Sequence, residues 1–141
     1  MKKIDRVAVL GGGLWGTVLA QHLSQARPKV QVSLWEFFET AAAALARTRR
    51  HPHIPGFRLD DSVAVTSNLF TACAEAAVIL FVLPSGFVRR TASAARAALG
   101  LRKPLIVNAS KGIEPGTLRT MGDILSAELR SRAVYTLSGP S

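Results

Sequence analysis

The sequence predicts an α/β fold built on a doubly wound parallel sheet. Short apolar runs of strand length alternate with Ala-, Leu- and Arg-rich segments of helix length along the whole chain. Four of the runs are near-continuous Val/Ile/Leu, as in strands buried on both faces. No internal repeat or low-complexity segment interrupts the alternation.

The first strand is Arg6–Leu10, and the helix Leu14–Arg27 follows it. Pro28 ends that helix, because proline lacks an N–H donor and clashes with the preceding turn. Val30–Trp35 and Phe38–Arg50 form the second strand and helix. His51-Pro52-His53-Ile54-Pro55-Gly56-Phe57-Arg58 then breaks the rhythm with two prolines and a glycine, so it is a loop. Ile54 and Phe57 would be wasted on solvent in a mere linker. The two loop histidines have no Cys or carboxylate pair at ligand spacing and read as solvated side chains, with no metal site. Next come the strand Val63–Thr66, the helix Leu69–Glu75, the strand Val78–Leu83 and the helix Gly86–Leu99, closed by Gly100 as a C-terminal cap. Strand Leu105–Asn108, helix Thr117–Ser131 and strand Val134–Leu137 complete the order.

A chain of 141 residues that is 48% hydrophobic fits one domain and can bury a real core. The single cysteine, Cys73, excludes a disulfide framework and reads as a small buried thiol. The N-terminus leads into an apolar run of strand length rather than a secretory segment, and no stretch reaches the roughly 20 apolar residues of a membrane helix. These features predict a cytoplasmic protein without a membrane span. The charge is unusual, 18 Lys+Arg against 9 Asp+Glu for a net +9, and such a surface attracts polyanions. The basic residues are scattered in small groups, however, with no basic helix stripe, no zinc-ligand spacing and no aromatic-basic interleaving. Nucleic acid is therefore not the expected partner; an acidic partner domain outside this chain is a second explanation.

The strongest local signal is Val7-Ala8-Val9-Leu10-Gly11-Gly12-Gly13-Leu14-Trp15-Gly16, a Gly-x-Gly-x-x-Gly pattern directly after a strand and opening a helix. Gly11 allows the tight turn, Gly13 lets the backbone approach a pyrophosphate, and Gly16 lets the helix pack closely. The helix N-terminus presents free N–H groups and a positive dipole to the phosphates. The pattern predicts a Rossmann-type dinucleotide-binding domain and an acid about 20 positions on, at the end of the second strand. Glu36 stands there and would repel a 2′-phosphate, which favours NAD over NADP. Two features leave NADP open: Arg47, Arg49 and Arg50 are within reach of a phosphate, and Glu39 is the acid if the strand ends later. Phe37 either lies over the adenine or is a core aromatic.

Two further segments follow predicted strands, where ligands bind in such a fold. Leu83-Pro84-Ser85-Gly86-Phe87 makes a turn into a helix, and Asn108-Ala109-Ser110-Lys111-Gly112 places a lysine to meet a phosphate or a developing alkoxide. Ser138-Gly139-Pro140-Ser141 follows the last strand and would line the same crevice.

Together these segments resemble the NAD(P)-dependent glycerol-3-phosphate dehydrogenase family, in its N-terminal domain, over essentially the whole chain and in the right order. Leu14-Trp15-Gly16-Thr17 and Leu34-Trp35 look like that family's opening turn and second strand. His53-Ile54-Pro55-Gly56 resembles its Tyr-Leu-Pro-Gly loop, and Val65-Thr66-Ser67-Asn68-Leu69 its Ala-Thr-x-Asp-Leu. Most specific are Ala109-Ser110-Lys111-Gly112-Ile113-Glu114 and Ser138-Gly139-Pro140-Ser141, similar to its Ala-Thr-Lys-Gly-Leu-Glu and Ser-Gly-Pro-Ser/Thr.

The resemblance implies roles. Gly11, Gly13, Leu14, Trp15 and Gly16 would hold the pyrophosphate, with Phe37 near the adenosine and Pro84 and Phe87 on the nicotinamide side. Lys111 would contact both substrate and nicotinamide end, and Gly139 and Ser141 would meet the substrate. The implied reaction is hydride transfer between NAD(P)H and dihydroxyacetone phosphate, giving sn-glycerol 3-phosphate for phospholipid synthesis. The resemblance places the proton-transferring lysine and the substrate-phosphate residues in a helical C-terminal domain that this sequence lacks, and allows a homodimer of the full-length protein. The fragment is accordingly expected to bind cofactor with little or no turnover. Departures are His53 where the family has an aromatic, and Arg49-Arg50-His51 in place of a more polar approach. The rival readings are another oxidoreductase of the same fold, of hydroxyacid or 6-phosphogluconate type, and a non-catalytic dinucleotide-binding regulatory module.

Overall fold

A computed structural model describes residues 4–139. Six parallel strands form one sheet: β1 (Arg6–Leu10), β2 (Gln31–Trp35), β3 (Ala64–Thr66), β4 (Val78–Phe81), β5 (Leu105–Asn108) and β6 (Val134–Thr136). Their spatial order is β3-β2-β1-β4-β5-β6, so the chain reverses direction across the sheet between β1 and β4. Five helices cover it: α1 (Leu14–Ala26), α2 (Glu39–Thr48), α3 (Leu69–Cys73), α4 (Ser85–Leu99) and α5 (Met121–Leu129). This is the doubly wound architecture that the strand–helix alternation predicts.

Side chains that alternate along each strand feed two separate cores. On one face Ala8, Leu10, Ile79, Phe81 and Ile106 pack with Cys73 of α3, Ala92 of α4 and Ile124 of α5. On the other, Val7, Val9, Val32, Leu34 and Leu80 meet Leu19 of α1, Leu45 of α2, and Leu59 and Val63 from the loop before β3. Burial raises the Cys73 thiol to about 11, so it stays protonated at neutral pH and packs as an apolar group. Helix α1 ends at Ala26, one residue earlier than the sequence predicts, because proline drives the residue before it out of helical space; Arg27 has φ −136°. Gly100 caps α4 at φ 58°.

The largest difference from expectation is at α5. The sequence predicts a helix from Thr117, yet Leu118 is left-handed at φ 56° and the helix begins at Met121. Thr120 supplies the start: its hydroxyl accepts the Asp123 N–H while the Asp123 carboxylate accepts the Thr120 N–H, a reciprocal cap that outcompetes one more helical turn. Residues 111–120 thereby become a loop beside the carboxyl end of β5. The second helix likewise begins at Glu39, with Phe38 as its extended N-cap, and ends at Thr48. The strands expected at Val78–Leu83 and Val134–Leu137 end at Phe81 and Thr136, which leaves Val82–Pro84 and Leu137–Gly139 free to line a cleft.

Candidate nucleotide-binding site

The glycine turn joins β1 to α1, and its three motif glycines do three different jobs. Gly11 has φ +129°, and a Cβ there would also strike the Val82 carbonyl beyond β4. At Gly16 a Cβ would strike the Gly11 carbonyl oxygen, so this glycine sets how closely α1 approaches the turn. Gly13 is the N-cap of α1, and nothing lies within 4 Å of where its Cβ would be. Its missing side chain therefore leaves open space in front of the helix end. The turn is braced from both sides through the Gly12 carbonyl. The Thr17 hydroxyl donates to it at 3.1 Å, and the His51 Nε2 lies 3.2 Å away. His51 Nδ1 accepts the His53 backbone N–H, which leaves the ring proton on Nε2 and makes it the donor to Gly12. His51 is thus no solvated loop residue: the proline-rich loop folds back and holds the glycine turn.

Within α1 the first helical bond is from the Thr17 N–H to the Gly13 carbonyl. The N–H groups of Leu14, Trp15 and Gly16 have no carbonyl a turn earlier to bond, and the first turn carries no acid. An anion in front of Gly13 would meet these donors and the positive end of the helix dipole.

A cleft of about 1230 Å³ opens from this point across the carboxyl ends of β1, β4, β5 and β6. Gly13, Leu14, Trp15 and Gly16 form one wall, Val82 to Pro84 the floor, and Ser110 to Gly112 with Leu137 to Gly139 the far side. This is the switch point of the sheet, where open α/β folds bind ligands. The sequence-selected residues Gly13, Leu14, Trp15, Gly16, Pro84, Lys111 and Gly139 all line it. Ser141 lies outside the described residues. Lys111 is carried there by a latch that sequence reasoning does not find. The Ser110 hydroxyl donates to the Phe81 carbonyl at 3.2 Å and accepts the Leu83 N–H at 2.9 Å; the Asn108 side chain accepts the Ser110 N–H at 3.0 Å. Both latch residues are buried, and they tie the ends of β4 and β5 together just before the lysine.

Glu36, Phe37 and Phe87 lie on the other side of the glycine turn. The Glu36 carboxylate rests against Gly12, where a Cβ would collide with it, and its Oε1 accepts the Phe38 N–H at 2.9 Å. Glu39 is the first residue of α2, so Glu36 is the acid that ends β2. Phe37 is 52% exposed and meets Trp35 only edge-on, which excludes the core-aromatic reading. Phe87 does not line the cleft with Pro84; it shares the Arg90 guanidinium with Phe37, at 5.5 and 5.3 Å from the two ring centroids. Arg49 is not free to meet a phosphate. It donates to the Val63 carbonyl at 2.7 Å and holds the chain leading into β3. Arg90 is a cation on this side, and nothing in the local sequence pattern singles it out.

A second cluster supports the Lys111 loop. Arg89 of α4 forms a fork on Glu114, at 2.7 and 2.8 Å, and also binds Glu128 of α5. Hydrogen bonds from Arg89, and then from the Thr117 hydroxyl, hold the Glu114 carboxyl down at about 2 from its usual 4.5. A carboxyl with a depressed folded pKa stabilises the fold above its unfolded pKa and loses that contribution as pH falls through the folded one. Stability therefore drops between about pH 4.5 and pH 2. Arg89→Leu should flatten that slope in melts followed from neutral pH downwards, and an unchanged slope would show that the cluster does not govern it. Among the described residues no three His, Cys, Asp or Glu side chains gather as metal ligands.

A strand, a glycine turn with its middle position open, free helix N–H groups and a carboxylate at the end of the neighbouring strand define a dinucleotide-binding domain of the Rossmann type. Residues 6–141 match the family model described as NAD-dependent glycerol-3-phosphate dehydrogenase N-terminus, and the chain belongs to that family. Membership implies binding of NAD or NADP. The chain is 43% identical, over its full length, to glycerol-3-phosphate dehydrogenase [NAD(P)+] of Rhodopseudomonas palustris strain HaA2, and covers 42% of that protein. It is 35% identical over 96% of its length to a similarly named protein of Lactobacillus delbrueckii subsp. bulgaricus, covering 41% of it. The crystal structure of glycerol-3-phosphate dehydrogenase from Coxiella burnetii superimposes with a TM-score of 0.81 at 23% identity, over 94% of this chain and 39% of that one, which supports the fold. The chain thus spans about two fifths of the length of these relatives.

Proposed function

We propose that this chain is the cofactor-binding part of an NAD(P)-dependent glycerol-3-phosphate dehydrogenase of glycerophospholipid metabolism, acting in the cytoplasm. The bound nicotinamide would supply or accept the hydride exchanged with dihydroxyacetone phosphate, giving sn-glycerol 3-phosphate in the reducing direction. The observation that carries this reading is the cleft itself, with the open glycine turn on one wall and Lys111 on the other. Gly11, Gly13 and Gly16 shape the pyrophosphate seat, and Leu14 and Trp15 contribute their backbone N–H groups. Glu36 holds the ribose hydroxyls, Phe37 and Phe87 flank the adenosine, and Pro84 faces the nicotinamide end. Lys111 spans cofactor and substrate, and Gly139 and Ser141 meet the substrate. The proton-transferring lysine and the substrate-phosphate residues are assigned to a C-terminal domain, with which this domain assembles, and the complete protein is assigned as a homodimer. This chain alone accordingly binds nucleotide and turns over little.

Titration with NADH and NADPH, followed by nicotinamide fluorescence, tests the reading. NADH binds saturably and more tightly than NADPH. Glu36→Ser raises NADPH affinity on the order of tenfold, because a carboxylate a few ångströms from a phosphate costs 1 kcal/mol or more, roughly, at a surface site. Failure of both nucleotides to bind would remove the reading, and equal NADPH affinity in wild type and variant would remove the role of Glu36.

A further inference from the structure

At the amino-terminal end of the sheet, opposite the nucleotide cleft, the loops that lead into β5 and β6 enclose a second cleft of about 640 Å³. Its lining contains Arg96, Arg102, Lys103, Arg130 and Arg132, and no aspartate or glutamate. Basic residues often sit near helix C-termini, where they complement the dipole, and both α4 and α5 end here. Arg102 does that work, donating to the Ala98 carbonyl at 3.1 Å and the Cys73 carbonyl at 3.0 Å. Arg96, Lys103, Arg130 and Arg132 are exposed and form no ion pair among the described residues. Four like charges around one cleft repel one another, and an anionic counter-surface would relieve that repulsion. At the tip of the same rim stands Leu101, 99% exposed, between Gly100 and Arg102. No aromatic side chain lines the cleft, so it offers no platform for stacking bases.

We propose that this face docks reversibly on an anionic lipid bilayer, with the basic rim on the headgroups and Leu101 inserted at their boundary with the acyl chains. A cationic rim that carries a single fully exposed leucine matches that interface. A small anion or a nucleic-acid backbone would leave Leu101 in water. The cleft and the docking face lie at opposite ends of the parallel strands, so the inference does not rest on the nucleotide reading.

Co-sedimentation with vesicles tests it, using equimolar phosphatidylglycerol and phosphatidylcholine against phosphatidylcholine alone. The protein should bind only the anionic vesicles, and high salt should release it. Each basic side chain near such a surface is worth roughly fivefold in partitioning, so Arg96→Gln/Lys103→Gln/Arg132→Gln should weaken binding ~100-fold. Leu101→Ser, which changes no charge, should weaken it about tenfold. Removing the same charge elsewhere, by Arg47→Gln/Arg50→Gln/Arg119→Gln, should leave most of the binding intact. Circular dichroism and melting temperature confirm that each variant is folded before its binding is read. Equal binding to neutral vesicles, or an equal loss in the two triple variants, would overturn the proposal. So would a single-stranded DNA oligonucleotide that binds through the same three residues while Leu101→Ser leaves vesicle binding unchanged.

Discussion

Gly13→Asp should weaken NADH binding by at least ~100-fold while leaving the fold as stable as before, or slightly more so. Gly13 is the N-cap of α1 at φ −69° and ψ −174°, an extended conformation open to any residue, and its Cβ position is free of neighbours. Aspartate is among the best N-cap residues, and α1 has no side-chain cap to lose, so helix stability changes by a few tenths of a kcal/mol in the favourable direction. The same carboxylate occupies the free N–H groups of the first turn and stands where a pyrophosphate would lie. Repulsion between unit charges about 4 Å apart costs roughly 1 kcal/mol in water and more near protein, and the pyrophosphate carries two of them. Fluorescence titration and a thermal melt of one preparation measure both halves of the prediction. A variant that binds NADH like the wild type would show that the dinucleotide does not approach this turn.

Gly16→Ala should do the opposite and strike the fold itself, costing ~3 kcal/mol and lowering the melting temperature by about 10 °C. Helix propensity alone favours alanine by about 1 kcal/mol, which would predict a more stable protein. The added methyl, however, runs into the Gly11 carbonyl oxygen, a backbone atom with no rotamer to escape to. Either α1 lifts off the turn or the turn itself deforms, and both open the Gly12 carbonyl to which Thr17 and His51 are bonded. Nucleotide binding is lost with it. Urea denaturation decides the matter: a Gly16→Ala protein as stable as wild type would mean that the close approach is not required.

Much of the nucleotide site was readable because its parts are close in sequence. The β1–turn–α1 unit spans Arg6 to Ala26, and each glycine's job follows from local backbone sterics. The end of α1 before Pro28 and the cap at Gly100 are equally local. The late start of α5 was also written locally, in the pairing of Thr120 with Asp123; a helix from Thr117 overlooks that cap. What no window of sequence shows is contact across long separations. The His51 bond to Gly12 spans 39 residues, the Arg89 bonds to Glu114 and Glu128 span 25 and 39, and the Ser110 latch onto Leu83 spans 27. Read alone, Arg89 and Arg90 are one basic pair among several. In the fold they sit on consecutive positions of α4 and face different partners, one a carboxylate pair and the other two aromatic rings.

The sequence by itself determined the strand–helix order and the glycine turn, because each depends on residue type and spacing within one or two elements; the choice of Glu36 over Glu39 as the acid waited for the observed ends of β2 and α2. Only the tertiary structure decided which loops share an end of the sheet. Strand order places the ends of β1, β4, β5 and β6 around one cleft, and places the basic residues before β5 and β6 together at the opposite end. Two of the small basic groups scattered along the chain, Arg102/Lys103 and Arg130/Arg132, come together with Arg96 on one face because parallel strands send their return loops to the same end of the sheet.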